Sequence, residues 1–438
     1  MESLRFPRSA KENTMTTENT QDIDAFVTAE DIPEVTSIKV SEPRDGLPKI
    51  ATTAQELLEI VTAISNGTGP VALDAERASG LKFSQRAYLI QLRREGSGTH
   101  LIDPTSFENL DVLQSALQNV DWILHAASQD LVCLAEVGLV PTAGLFDTEL
   151  AGRLLGLPRV GLGPLIETQL GFALAKEHSA ADWSTRPLPE SWLNYAALDV
   201  EFLIELWDVL GQQLNEAGKS NWAFQEFDHV QRNTFPIERV DPWRRTSGMH
   251  VIRSPREIAI VREVWQARDE IARKQDIAAG RILSDSHIVT LANSGLATKS
   301  QLLTLSFMHL RNVKRHADTW IEATLRAHAL PEDELPPVKL PATGTPAPRN
   351  WEARNPAAWR RLEYVRAKLM TTAEELNLPV ENLMTPETIR RVLWSPPETV
   401  ELLHAELTSF GARPWQIEIV SPVLETAIWN LSEGKAAE

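Results

Sequence analysis

Cysteine is almost absent from this 438-residue sequence: the single copy, Cys133, excludes an internal disulfide framework and a cysteine-based zinc cluster. One thiol suits a reducing cytoplasm, and its apolar neighbours point to simple burial. Long apolar runs are also missing, since the best candidate, residues 131–146, is broken by Glu136 and Pro141 and falls short of the roughly 18 residues of a membrane span. The N-terminus lacks the basic start, apolar stretch and cleavage site of a signal peptide, so a cytoplasmic location is expected. Met15 follows a polar stretch and is an alternative start, which leaves residues 1–14 without an assigned role. Net positive charge is lacking too: 60 acids against 43 bases give −17, which argues against wrapping nucleic acid by net charge. What remains is an ordinary globular composition, 43% apolar and 24% charged. At roughly 100 to 200 residues per domain the length suits two to four domains.

Residues 1–45 are polar and without periodicity, which predicts a mobile tail or a loosely docked strand. From Ile50 the pattern becomes regular. TAQELLEIVTAISN reads as a helix, VALDAE from Val71, AYLIQLRRE and THLID as strands, and VLQSALQNV as a second helix. DWILHA is then a strand, and QDLVCLAEVG and DTELAGRLLG are helices, the latter closed by Gly156. Alternation of this kind predicts an α/β domain over residues 46–220. Helical periods then take over, beginning with ESWLNYAALDVEFLIELWDVLGQQLNEAG, which Gly218 can cap. Six prolines between residues 331 and 350 predict an extended, semi-rigid linker between two all-α segments, 245–330 and 351–430.

Asp74 and Glu76 sit two apart on a predicted strand, so their side chains leave the same face and can converge on one cation. Such a pair alone is weak, because sixty acids in this length place about eight pairs at that spacing by chance. Its setting at the end of an apolar strand strengthens it, since carboxylates there need water or a metal. Asp130, opening a helix in HAASQDL, reads on its own better as a first-turn acid favoured by the helix dipole than as a site residue. Tyr195 and Asp199 in NYAALDV are four apart and share a helical face. His125 fits a hydrogen-bonded structural histidine, and Asp147 and Glu149 fit a helix start. Arg186 in WSTRPL is open to a phosphate or to active-site carboxylates.

Order and neighbours bind these weak signals together. LDAE, HAASQDL, DTELAGRLLG and DWSTRPLPESWLNYAALDVEFL in succession resemble the motifs of the DEDD-type 3′-to-5′ exonucleases of the DnaQ-like, ribonuclease H-like fold. In particular, D-W-x-x-R-P-L followed by Y-A-A-x-D-V is similar to the ribonuclease D family, over residues 51–214. Tyrosine four before the last aspartate marks the DEDDy subtype. Ala75 departs from the threonine of many relatives, but its side chain points away from the acids. The resemblance implies that Asp74, Glu76, Asp130 and Asp199 hold two divalent ions, Mg²⁺ or Mn²⁺, and that Tyr195 orients the attacking water. It implies an exonuclease domain with a mixed sheet, and stepwise release of nucleoside 5′-monophosphates from RNA, with tRNA precursors and other structured RNA as expected substrates.

In the second half, WQARDEIARKQD, RILSD and RNVKRHADTWIEA resemble the HRDC module, the helicase and ribonuclease D C-terminal domain; residues 351–430 resemble a second, degenerate copy. Charge reverses here: residues 241–330 carry +5, whereas residues 51–240 carry −13. Arg311, Lys314 and Arg315 concentrate three bases that can pair with phosphates, although such a run is often just a solvated face. Two alternatives stand beside the exoribonuclease reading. One is a DNA exonuclease of the same superfamily acting in repair, because nothing in the motifs reads the 2′-hydroxyl. The other is an inactive nucleic-acid-binding scaffold, which retention of all four acids and the tyrosine disfavours.

Overall fold

The structure, a computed structural model, describes residues 37–175, 181–234, 239–340 and 344–431; Met15 and the rest of residues 1–36 lie outside that set. Strands β2 (Ile50–Ala51), β3 (Thr68–Arg77), β4 (Ala87–Glu95), β5 (Gly98–Ile102), β6 (Trp122–Leu124) and β7 (Leu145–Asp147) form one sheet in the order β2-β5-β4-β3-β6-β7. A loop over residues 78–86 joins β3 to β4 and a tight turn joins β4 to β5, both pairs antiparallel; the remaining pairs are parallel, so the sheet is mixed as expected. β1 (Ile38–Val40) pairs in parallel with β8 (Phe172–Leu174), so this part of residues 1–45 is a docked strand and not a mobile tail.

Strand alternation sorts the sheet into two cores. Val71, Leu73 and Ala75 of β3 join Trp122, Leu124 and Leu145 on one face, covered by α1 (Ala54–Asn66), α2 (Asp111–Leu117) and α3 (Leu131–Ala135). Ala72, Ile123 and Phe146 take the other face, under α4 (Thr148–Leu154), α5 (Leu162–Leu170), α7 (Leu203–Glu216) and α8 (Ser220–Asn233). α1 starts at a capping box, Thr53 with Glu56, and buries Leu57, Ile60 and Ile64 at helical spacing.

The expected long helix over residues 190–218 is two helices, α6 (Glu190–Glu201) and α7, broken at Phe202. The break has a visible cause. Arg44 reaches in to bond the Glu201 carboxylate at 2.5 Å and, at 2.7 Å, the Glu201 carbonyl, which a continuous helix would use internally. Glu201 is fully buried and also lies 3.4 Å from Arg93.

The two helical segments attach differently. Residues 243–327 have their own core around Trp243 and Trp320, built on α9 (Pro255–Gln275), which starts at the capping box of Ser254 and Glu257. This module docks on the β3–β4 connection and the start of β4, where Phe83 packs against its core and a few polar contacts join the two. Asp276 accepts from the Ser84 N–H (2.8 Å) and the Tyr88 hydroxyl (3.1 Å), and Arg281 donates to the Gly80 carbonyl (3.0 Å). Residues from Trp351 onward instead share one continuous core with α4, α7 and α8. Trp415 stacks on Trp222 at 4.8 Å, Arg413 pairs with buried Glu226 at 2.7 Å, and Lys219 donates to the carbonyls of Leu154 and Leu376. Among the described residues no helix is long and apolar enough to cross a membrane.

Candidate active site

Asp74 and Glu76 leave the same face of β3 as Ala72, at the end where the strand meets α6. α6 packs across β3, β4 and β5 and brings Asp199, in its last turn, over the pair. Carboxylate oxygens of Asp74, Glu76 and Asp199 all lie within 4.8 Å of one another. Asp130 stands outside that trio but on the wall of the same cavity, about 520 Å³, which Arg77, His125, Gln129 and Tyr195 also line.

Asp130 owes its place to a short device after β6. Ala126 adopts a left-handed conformation (φ 55°), and a 3-10 turn, Ala127–Gln129, delivers Asp130 at the start of α3. Asp147 holds that turn: its buried carboxylate accepts from the N–H groups of Ala126 (3.1 Å) and Ala127 (2.8 Å) as well as from Glu149 and Leu150 in the first turn of α4. The helix-start role expected for Asp147 is therefore half of its work. Glu149 pairs with Arg153 one turn on.

Tyr195 lies one helical turn before Asp199 and shares a hydrogen bond with its carboxylate. Burial first, then the charges of Asp199, Glu76 and Asp74, push the phenol above its ordinary range, so it is protonated at neutral pH. The WSTRPL loop backs it. Trp183, fully buried, sits 6.5 Å from the Tyr195 ring and 5.5 Å from Trp192. Arg186 takes neither partner left open by the sequence: it forks onto Asp103 at 2.5 and 2.8 Å and donates to the carbonyls of Tyr88, Trp183 and Thr185.

Charge in the cavity is badly out of balance. Burial pushes the Asp74 carboxyl up to about 6. Glu76, buried and facing Asp74, Asp199 and Asp130, is driven to about 10, and burial with the Asp74 charge lifts Asp130 and Asp199 well above the usual carboxylate range. Clustered hard oxygen donors whose ionised forms repel one another fit divalent cations. His125 lies 2.9 Å by Nδ1 from the Thr148 hydroxyl, and burial pushes it down to about 4, so it is neutral. Cys133 is buried and donates to the Asp130 carbonyl.

Arg311, Lys314 and Arg315 are exposed and do not line the cavity. They sit on the module that docks on the β3–β4 connection. The sequence missed Arg77 and the turn-holding role of Asp147: alternation along β3 puts Arg77 on the far face, and no local pattern joins Asp147 to residues 126–127.

Residues 48–215 match the family model described as 3′-5′ exonuclease, residues 257–324 the HRDC domain, and residues 344–428 the 3′ to 5′ exonuclease C-terminal domain. The fold and these matches define a 3′-to-5′ exonuclease with an HRDC domain. Ribonuclease D of Pseudomonas paraeruginosa is 32% identical over 286 residues, covering 63% of this chain and 74% of the relative. The chain is 30% identical over 268 residues to the exosome complex exonuclease RRP6 of Saccharomyces cerevisiae, spanning 36% of that protein's length and 56% of its own. The chain belongs to the ribonuclease D family of 3′-to-5′ exoribonucleases. A crystal structure of a protein from Bifidobacterium adolescentis is 35% identical with a TM-score of 0.81, covering 90% of this chain and 99% of that one. Escherichia coli RNase D, 24% identical with a TM-score of 0.64 over 83% of this chain and 99% of that one, shares the fold.

Proposed function

We propose that Asp74, Glu76, Asp130 and Asp199 hold two divalent ions, Mg²⁺ or Mn²⁺, and that the cavity hydrolyses the 3′-terminal linkage of structured RNA such as tRNA precursors. The observation that carries this reading is the convergence of three carboxylates on one cavity with Asp130 in its wall and Tyr195 beside it. Bound there, two such ions would lower the pKa of the attacking water and offset charge developing on the phosphoryl and leaving oxygens. Tyr195 is protonated and hydrogen-bonded to Asp199, so its role is to orient water rather than to remove a proton. A new P–O bond forms from water and the P–O3′ bond breaks. The 3′ oxygen leaves with one of the water's protons, and the phosphate stays on the released nucleoside 5′-monophosphate. Arg311, Lys314 and Arg315 hold RNA upstream of that end, and the protein works in the cytoplasm.

Purified protein given matched 3′-labelled RNA and DNA, with Mg²⁺ or with chelator, tests the proposal. RNA should be shortened to 5′-monophosphates in Mg²⁺ alone, and Asp74→Ala should abolish this. Equal loss of DNA would overturn the RNA preference, and activity that survives chelation would overturn the metal assignment.

A further inference from the structure

Among the described residues Arg77 is the basic residue of the cavity wall, and strand geometry gives no warning of it. Along a regular β3, Arg77 would point opposite to Asp74 and Glu76. The ladder slips at that step, with Glu76 opposite Leu89 but Arg77 opposite Ala87, so β4 carries one extra residue, Tyr88. Arg77 sits at that slip and lines the same cavity as the acids. Its charge is felt by Asp74, Glu76 and Asp130, yet among the described residues it forms no ion pair with them and no hydrogen bond. The contrast with Arg44 and Arg186 is instructive, because both are consumed by protein acids and carbonyls. A guanidinium whose task was to neutralise the cluster would be paired with it.

We propose that Arg77 is a catalytic residue that forks onto the non-bridging oxygens of the phosphate at the 3′-terminal linkage. This rests on the function proposed above. Four carboxylates and two divalent ions cancel in formal charge, which leaves a phosphodiester with no net attraction to the site; Arg77 supplies a positive charge that matches it. Negative charge grows on those oxygens as water attacks, so the contact tightens in the transition state and acts more on kcat than on KM. Arginine's planar fork suits two phosphate oxygens, whereas lysine offers only a point charge.

Binding of AMP and of adenosine to the full chain in Mg²⁺, measured by calorimetry, isolates the phosphate contact without turnover. In Arg77→Gln, AMP should bind about 10- to 100-fold more weakly while adenosine is unchanged, and Arg77→Lys should fall between. Unchanged AMP affinity, or an equal loss for AMP and adenosine, overturns the proposal. Should the glutamine variant not fold, the lysine variant decides: AMP binding equal to wild type refutes the fork. Wild-type protein that neither binds AMP nor shortens RNA would instead sink the reading of the whole site.

Discussion

Replacing Arg186 with alanine decides between a phosphate-binding arginine and a structural clamp. The change removes two charge-assisted bonds to Asp103, which is 4% exposed, and one donor each from the carbonyls of Tyr88, Trp183 and Thr185. Breaking a buried pair by deleting one partner costs about 3 to 5 kcal/mol. Two features reduce that here: the arginine side chain is 32% exposed, and Asp103 keeps the Thr105 N–H and hydroxyl at 2.9 and 2.6 Å. A loss of about 2 to 4 kcal/mol follows, with a coupling of about 1.5 kcal/mol between Arg186→Ala and Asp103→Ala in a double-mutant cycle. Urea unfolding of the four proteins measures both. Burial raises and Arg186 with Thr105 together lower the Asp103 carboxyl, to a net position below its ordinary range. In Arg186→Ala it should therefore titrate higher, and stability should become less sensitive to acid. Wild-type stability in Arg186→Ala with a raised KM for RNA would refute the clamp and restore a phosphate role.

Three further outcomes follow from the cavity. Tyr195→Phe should lower kcat by about 10- to 100-fold with Mg²⁺ affinity, read by calorimetry, nearly unchanged; a lost metal site would contradict the orienting role. Asp199→Asn should cost at least about a thousandfold in kcat yet stabilise the chelator-treated protein. Because the folded carboxyl binds its proton more tightly than the unfolded one, metal-free wild type loses stability as pH rises above about 4, and the variant's gain in Tm should be larger at pH 7.5 than at pH 5. His125 has the opposite sign: pushed down to about 4 from an unfolded value near 6.5, it favours the fold at neutral pH and loses this on acidification. With Mg²⁺ saturating, wild type should lose about 2 kcal/mol more than His125→Asn between pH 7 and pH 5 in urea titrations, and parallel titrations would refute the assignment.

Much of this was legible along the chain because it is periodic. Two-residue alternation in VALDAE specified which side of β3 carries Asp74 and Glu76, and the four-residue step from Tyr195 to Asp199 specified a shared helical face; both are properties of one backbone segment. Element order and the strength of the apolar runs were readable for the same reason, as was the attachment of basic residues to the first helical module. Other features came from meetings between distant segments. The break at Phe202 depends on Arg44, 157 residues from its partner Glu201. The seating of Asp130 depends on Asp147, and the employment of Arg186 depends on Asp103. The final segment shares a core with the nuclease helices although a proline-rich stretch precedes it. Arg77 is the clearest case: its residue type is plain in the sequence, but its place in the wall of the acidic cavity, at a slip of the β3/β4 ladder, is not. Periodicity fixes direction only while the ladder stays in register, so the residue types and their local faces were set by sequence, while the company each charged group keeps was decided by tertiary packing.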